Sequence, residues 1–431
     1  MNKKDLWIIF NISITFIFLI SITSLQAEWE LQETLDQNKK GGHTGSVNSL
    51  SFSPGDSMLA SGSDDSTMIV WNTHASNPKN WNKRATQKTE KTFVNSVSFS
   101  PDGKWLAYGL WTENVNICEV ANFKNVYSHP ETFNNIWSIC FHPKLHLFAV
   151  GYNDNTVNIF DTNSFQSLEK KELTPIAKIK LNPKNETINK HVYSMCFHPS
   201  LLLLVISVCN NPIEIWKPSN GEILTKWEKL ASLENHTEKE MVRTVCFNSN
   251  GSLLASGATD KTIVVWDTSD QEPANWKNKE ILTGHANEVL SVCFHPKIKI
   301  LASGSRDHTI KIWDLPTGVC LQTLDKEDGG HTDNVNSICF DHDGQWLISG
   351  SADTTIKVWK YAETKEKEFI PLKEISPVTT VQQKAPTYFQ SFWGWIKHTS
   401  STTAYQVKDL ARRARELVWK KKEAEAGYYH N

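Results

Sequence analysis

The chain has 431 residues, of which 45 are lysine or arginine, 47 are aspartate or glutamate and 17 are tryptophan. This length and this aromatic content are sufficient for one large or two ordinary domains with a substantial core, so we expect a globular protein. The near balance of charge argues against nucleic acid as a partner, and any partner must be recognised by a local patch.

Residues 1–27 carry lysines at positions 3 and 4, an uncharged and mostly apolar stretch over residues 6–25, and the small residue Ala27. This order is typical of an export signal with cleavage after Ala27. The stretch is also long enough to span a bilayer, so an uncleaved leader helix that anchors the protein is the alternative. Both interpretations predict an extracytoplasmic location for the rest of the chain, which would be periplasmic, secreted or at the cell surface.

From residue 28 onwards the chain repeats one unit of about forty to fifty residues. Its most recognisable segment is SGSRDHTIKIWD at residues 303–314, and six further copies begin at residues 61, 108, 150, 206, 256 and 349. The copies at 108 and 206 are worn. Each copy follows a run in which apolar residues recur at every second position and a turn interrupts, which predicts strands. A further strand in the connections gives four strands per unit.

The period and the GH…WD signature resemble the WD repeat family of β-propellers, in which one unit forms one blade. The resemblance covers residues 28–361 and implies an all-β, seven-bladed propeller with four-stranded blades. Residues 29–35 parallel the segment before the last copy, so they should form a strand without a blade of its own. The last repeat ends at Trp359 without a fourth strand. We therefore expect the N-terminal strand to complete the last blade and close the ring.

Four of the copies combine a histidine, an aspartate and a tryptophan: His43, Asp65 and Trp71; His236, Asp260 and Trp266; His285, Asp307 and Trp313; His331, Asp353 and Trp359. A hydrolytic triad needs one exposed nucleophile with an oxyanion hole, whereas a set that occurs four times is typical of a structural element. In the family that this chain resembles, these side chains and a strand serine or threonine form a hydrogen-bonded chain within the blade. We therefore predict no catalytic residue.

Two other repeated residue types are interpreted as structural. Three FHP segments place His142, His198 and His295 in turns of separate blades, too far apart to share a metal ion, and we expect solvated turn residues. Five cysteines precede a phenylalanine in one repeating position, which predicts small core residues without a zinc site. These are Cys140, Cys196, Cys246, Cys293 and Cys339.

The first strand of the unit repeatedly reads V-x-S-[VIL], and its position x varies while its neighbours recur. In propellers that match this pattern, x lies at the mouth of the central channel, and so does the residue before the turn aspartate. Together these positions predict a partner-binding cluster of Trp111, Trp137, Tyr193, Arg243, Leu290 and Arg306. The alternative is that Trp111 and Trp137 fill space left by lost motif residues. The opposite rim, with Asn48, Asn95, Asn336 and Asp64, is polar and could orient a ligand.

After the propeller, residues 362–390 are predicted to be a linker, and residues 391–431 an aromatic and basic extension. The Ala, Leu, Arg, Lys and Glu content of this extension predicts an amphipathic C-terminal helix. Three roles remain open for it: docking on the side of the propeller, lying on an anionic membrane, or binding a partner helix.

The sequence thus predicts an exported, monomeric, non-catalytic scaffold that binds a peptide or protein segment on the top face, without metal or cofactor. One alternative is a propeller enzyme with an active site in the channel. The other is a membrane-tethered assembly factor that contacts the bilayer through residues 6–25 or residues 391–422.

Overall fold

The computed structural model describes residues 28–362, apart from residues 91, 113, 131–133, 167–172, 182–190, 210–211, 220–224 and 237–239. The predicted leader helix, linker and C-terminal helix therefore lie outside the described residues, except for Ala362. In the part of the chain that is described, no helix has the length and apolar character needed to cross a membrane.

The chain begins with strand β1 (Glu28–Leu35) and a single helical turn, α1 (Gln37–Lys40). Blades one to three follow as β2 (Val47–Phe52), β3 (Met58–Ser63), β4 (Thr67–Asn72), β5 (Asn82–Lys88), β6 (Val94–Phe99), β7 (Trp105–Leu110), β8 (Asn114–Glu119), β9 (Lys124–Pro130), β10 (Ile136–Phe141), β11 (Leu147–Tyr152), β12 (Thr156–Asp161) and β13 (Ala177–Lys180). Short 3-10 turns at Pro78–Asn80, Thr162–Gln166 and Pro273–Asn275 occur in the connections.

Blades four to seven are built in the same way. They consist of β14 (Val192–Phe197), β15 (Leu204–Val208), β16 (Ile213–Pro218), β17 (Trp227–Leu233), β18 (Val242–Phe247), β19 (Leu253–Ala258), β20 (Ile263–Asp267), β21 (Lys277–Leu282), β22 (Val289–Phe294), β23 (Ile300–Ser305), β24 (Ile310–Asp314), β25 (Val319–Leu324), β26 (Val335–Phe340), β27 (Trp346–Ser351) and β28 (Ile356–Ala362). The first strands of successive blades contact one another, and β26 contacts β2, so the ring is closed. This confirms the predicted all-β, seven-bladed propeller.

The second strand of each blade is almost completely buried, because neighbouring blades cover both of its faces. Six of these strands carry a glycine where the next blade comes closest. A Cβ on that glycine would lie only 2.3–2.7 Å from a side-chain carbon of the first valine or isoleucine of the following blade. The glycines are Gly62, Gly109, Gly151, Gly257, Gly304 and Gly350. In blade four, Ser207 takes this position.

Hydroxyl groups join the blades across the same junctions. The serine of the V-x-S pattern accepts a hydrogen bond from a backbone N–H of the following blade, as Ser49 does from Val97 at 3.0 Å and Ser96 from Ile139 at 3.0 Å. Ser337 of blade seven accepts in the same way from Leu50 of blade one at 3.1 Å. The repeated serine is therefore a contact between blades, which explains why the position tolerates little change.

Strand β1 closes the ring as expected. It pairs antiparallel with β28, with Glu28 opposite Ala362 and Leu35 opposite Ile356, so blade seven has the order β26, β27, β28, β1. Trp29 is only 2% exposed, and its ring lies 5.5 Å from that of Phe340. The strand thus supplies both the last ladder of the sheet and part of its core.

Truncation of the closing strand's tryptophan should destabilise the whole ring. We expect Trp29→Ala to lower the free energy of unfolding by about 3–5 kcal/mol, because a large buried side chain is removed from a packed core. Urea denaturation followed by fluorescence measures this change. Glu30→Ala, an exposed position on the same strand, is the matched control and should leave the stability within about 0.5 kcal/mol. Equal stability of the two variants would contradict this role of β1.

The prediction that His142, His198 and His295 are solvated is wrong, because all three are buried. Nδ1 of His295 accepts the backbone N–H groups of Lys297 and Ile298, both at 3.1 Å, and so caps the turn after the first strand. Its Nε2 lies 2.9 Å from the carbonyl oxygen of Gly344 in the next blade, whose turn covers the ring. In other blades Ser53, Ser100, Asn248 and Asp341 cap the equivalent turn.

This buried cap predicts a pH-dependent contribution to stability. Burial lowers the pKa of His295 below 6.5, the value of a free imidazole. The folded protein therefore binds the proton less readily than the unfolded chain does. The stability that neutral His295 contributes is complete above pH 6.5, and it is lost as the pH falls through 6.5 towards the folded pKa.

We expect His295→Asn to be less stable than the wild type by about 1 kcal/mol at pH 7.5, because the bond to Gly344 is lost. The difference should shrink as the pH falls to 5, since only the wild type carries the titrating ring. Calorimetric melting temperatures between pH 5 and 8 measure this trend. Asn248→Ala changes the same turn cap in blade five without a titrating group, so its difference should stay constant. A constant difference for His295→Asn would overturn the argument.

Candidate functional site

The first strand of every blade contains one residue that the pairing with the second strand skips. In blade one the register shifts between Val47 and Ser49, and the same shift recurs in all seven blades. The skipped residues are Asn48, Asn95, Trp137, Tyr193, Arg243, Leu290 and Asn336. A β-bulge leaves its extra residue unpaired and re-aims the side chain. This explains why position x varies while its neighbours repeat.

Three asparagines at the bulge join adjacent blades. The Asn48 amide donates to the carbonyl of Val94 at 3.3 Å, Asn95 to that of Ile136 at 2.9 Å, and Asn336 to that of Val47 at 3.1 Å. Each acceptor belongs to the first residue of the next blade's first strand. Asn48 also donates to Asp64 at 2.6 Å. The polar rim is therefore occupied by the ring's own hydrogen bonds.

Blades three to six lack this asparagine, and in blades three to five the side chains that replace it contact one another. The rings of Trp111 and Trp137 lie 5.2 Å apart, and those of Trp137 and Tyr193 5.4 Å apart, both edge to face. The guanidinium of Arg243 lies over the Tyr193 ring at 4.5 Å. Five of the six predicted partner-binding residues thus belong to one connected row. Leu290, the sixth, is partly exposed at the bulge of blade six.

The row continues as an ionic group at blades five and six. Glu288 accepts from Arg243 at 3.3 Å and from Arg306 at 2.8 Å, so one carboxylate bridges two guanidinium groups. The side chain of Arg306 remains 42% exposed. At the other end Phe93, which is also exposed, lies 6.3 Å from Trp111.

We name this row the channel-mouth arc and define it as Phe93, Trp111, Trp137, His191, Tyr193, Arg243, Glu288 and Arg306. The ring of His191 lies 4.8 Å from that of Trp137 and 5.7 Å from that of Tyr193. Burial, with a smaller effect from the charge of Arg243, lowers the pKa of His191, so the imidazole is neutral at neutral pH.

Three members of the arc were missed in the sequence, although a signal was present. Phe93, His191 and Glu288 each directly precede the first valine of a first strand. That position lies two residues before x, and side chains two apart point to the same face of a strand. Inspecting the residue two positions before x in every unit would have found all three.

The arc contains polar atoms that the protein does not satisfy. Nε1 of Trp137, Nδ1 of His191 and Nε of Arg243 are buried without a hydrogen-bond partner. Leaving a buried donor unpaired costs about 1–3 kcal/mol, so such groups are uncommon in native proteins. Their concentration in one row distinguishes the arc from the rest of the first strands.

The predicted His/Asp/Trp sets lie elsewhere, inside their blades. In blade six, Trp313 donates to the Ser303 hydroxyl at 2.8 Å, the Ser303 oxygen lies 2.7 Å from Nε2 of His285, and Nδ1 of His285 lies 2.8 Å from Asp307. Three further sets of side chains, in blades one, five and seven, form the same hydrogen bonds at 2.7–3.0 Å. They are His43, Ser61, Asp65 and Trp71; His236, Ser256, Asp260 and Trp266; His331, Ser349, Asp353 and Trp359.

The pKa values of the histidines and aspartates indicate how these hydrogen-bonded sets are protonated. Burial lowers the pKa of His285 and outweighs the opposing effect of Asp307. Burial alone would raise the pKa of Asp260, but hydrogen bonds from His236 and Thr262 lower it to about 2. In blade six, the neutral imidazole of His285 therefore donates from Nδ1 to the ionised carboxylate of Asp307, while its Nε2 accepts from Ser303. Because these serines are fully buried, they cannot reach a substrate.

The described residues hold no group of three or more His, Cys, Asp or Glu side chains that could bind a metal ion. All eight cysteines lie in the described part of the chain, and they are free thiols. The five repeated cysteines are in first strands and pack against the core of the following blade, as Cys140 does against blade four.

The two repeats that match the motif least well still form four-stranded blades, because other side chains replace the missing motif residues. In blade two, Cys118 replaces the motif tryptophan and Tyr108 replaces the strand serine, and both are buried. The Tyr108 hydroxyl lies 3.0 Å from the side-chain oxygen of Asn125. The space of the lost motif is therefore filled by Tyr108, whereas Trp111 packs against Trp137 and Phe93.

Three relatives illustrate what the chain is similar to. It is 30% identical over 160 residues to the probable cytosolic iron-sulfur protein assembly protein 1 of Meyerozyma guilliermondii, which covers 31% of this chain and 41% of that protein. It is 25% identical over 285 residues to nucleoporin SEH1-B of Xenopus laevis, covering 57% and 75%. It is 26% identical over 284 residues to protein HIR1 of Eremothecium gossypii, covering 54% and 33%. The chain thus spans less than half of the first and third of these relatives.

These relatives correct the predicted location. One is named as cytosolic and another as a nucleoporin, so the prediction of an extracytoplasmic protein is wrong, and they give no support for an export signal. That prediction depended on residues 1–27 alone, whose apolar composition does not by itself specify export. Nothing in the repeated part of the sequence had indicated a compartment.

A family model gives the last comparison. The model for the WD domain, G-beta repeat, matches residues 32–72, 81–115, 122–161, 227–267, 276–314 and 318–360, which together are more than half of the chain. The matches leave out β14, β15 and β16, three of the four strands of blade four, whose repeat is one of the two worn copies. The chain belongs to the WD40 family.

Proposed function

We propose that the protein is a non-catalytic scaffold that binds a segment of a partner protein at the channel-mouth arc. The observation that carries the proposal is the loss of the inter-blade asparagine on four consecutive blades, three of which replace it with Trp137, Tyr193 and Arg243, side chains of one connected row with unsatisfied polar atoms. Two relatives are named as an assembly protein and a nucleoporin, which is in keeping with a role in assemblies.

The replacement has a cost for the ring itself. Each asparagine that is absent removes a hydrogen bond between blades, worth about 1 kcal/mol. In blades five and six the His/Asp/Trp sets are intact, so Arg243 and Leu290 do not compensate for a worn motif. Residues that lower stability without repairing the frame are typical of binding surfaces, where aromatic and arginine side chains supply most of the affinity.

Two alternatives, a space-filling role for Trp111 and Trp137 and an enzyme with its active site in the channel, have less support. The space-filling role of Trp111 and Trp137 is weakened by Tyr108, which already occupies the site of the lost motif in blade two. A channel enzyme would need a free acid, base or nucleophile on the rim. In the arc the carboxylate of Glu288 is held between the guanidinium groups of Arg243 and Arg306, which suits it to electrostatic positioning.

A display library of peptides from the proteome of the source cells tests the proposal. Peptides selected on the wild-type propeller should bind Trp137→Ala at least 10-fold more weakly in fluorescence anisotropy, because the centre of the aromatic row is removed. Ile298→Ala, an exposed apolar position in the turn after a first strand, is the matched control and should bind like the wild type. Melting temperatures verify that both variants are folded.

Failure to enrich any peptide would overturn the proposal. So would peptides that bind Trp137→Ala and the wild type equally, since the binding surface would then lie outside the arc.

A further inference from the structure

The channel-mouth arc has two chemically different ends. Phe93, Trp111 and Trp137 form an aromatic end at blades two and three, and both Phe93 and Trp111 are accessible to solvent. Arg243 and Arg306 lie at blades five and six. A bound segment therefore meets a different chemistry at each end, which fixes its direction along the arc.

Among the side chains of the arc itself, the polar end has two positive groups, Arg243 and Arg306, and one negative group, Glu288. Two guanidinium groups share the single carboxylate of Glu288. Glu240, the acidic residue closest before β18, accepts a hydrogen bond from the hydroxyl of Thr259 in its own blade. Arg306 is 42% exposed, so the guanidinium has donors that face solvent.

The unsatisfied atoms have the same polarity. Nε of Arg243 and Nε1 of Trp137 are donors only, and neither has an acceptor. The donors at this end that are open to a ligand are those of the partly exposed Arg306, so a ligand must bring acceptor oxygens, and a carboxylate is a small group that offers two. The hydrogen-bond donors and the two guanidinium groups of the arc therefore both favour a ligand with negatively charged acceptor oxygens.

We infer that the arc recognises an acidic segment, with an apolar side chain against Trp111 and Trp137 and a carboxylate bound by Arg243 and Arg306. This inference rests on the proposed function and names the class of its ligand. The contacts from Trp137 to Tyr193 and on to Arg243 measure 5.4 and 4.5 Å. The span from Trp137 to Arg243 cannot exceed this path, and an extended chain advances about 3.3 Å per residue, so the two side chains are separated by at most about three positions.

Four libraries of eight-residue peptides test the inference. All have a fixed leucine and, three positions later, either Glu, Gln, Lys or phosphoserine, with random residues elsewhere. On the wild-type propeller we expect the Glu library to bind at least 10-fold better than the Gln library, and the Lys library to bind worst.

Two variants test the charges. Arg306→Gln should bring the affinities of the Glu and Gln libraries to within about 2-fold of each other, because a main source of charge discrimination is removed. Glu288→Gln should strengthen binding of the Glu library several-fold, since it removes the negative charge that competes for the arginines. A basic ligand would give the opposite sign, because it would pair with Glu288.

Equal binding of the Glu and Gln libraries, or preference for Lys, would overturn the inference. Tighter binding of phosphoserine than of Glu would overturn the assignment to a carboxylate. If the proteome-derived selection succeeds with neutral or basic peptides, the inference fails and the proposed function stands. If that selection also enriches nothing, the proposed function fails.

Discussion

The fold depends on how closely one blade can approach the next at the centre of the ring. A glycine of each second strand, except in blade four, lies directly against the first valine or isoleucine of the following blade, with no room for a Cβ. Seven sheets can surround a narrow channel only if their inner edges come this close. Serine hydroxyls bond across the same junctions, so the spacing is fixed by hydrogen bonds as well as by packing.

This tight junction explains where the candidate site can be. The valine and the serine of V-x-S both contact a neighbouring blade. The β-bulge between them leaves only the middle residue without a partner in the sheet. A substitution there changes the channel mouth without opening the ring. In blades one, two and seven an asparagine strengthens the frame, while blades three to six give up that bond. Blades seven, one and two are therefore joined by additional hydrogen bonds, whereas in blades three to six the bulged position can carry side chains for another role.

Much of the fold followed from the sequence, because each blade repeats the same alternation and the same turn residues. The closing strand was found from the likeness of residues 29–35 to the last repeat. The register shift in the first strands could not be predicted from the sequence. The bulge depends on how two strands pair, and no single residue type marks the bulged position. The burial of His295 was missed because its cover is the turn at Gly344, 49 residues later. His191 and Glu288 were missed because only one variable position was followed along the strand.

The pairing of β1 with β28 has a further consequence. Glu28 and Ala362 are opposite each other in the register, at the end of blade seven away from the turn at Asp353. The chain therefore enters and leaves the ring side by side, on the face opposite to the one with the channel-mouth arc. A tether attached directly at Glu28 or Ala362 would therefore start on the face of the ring opposite to the arc.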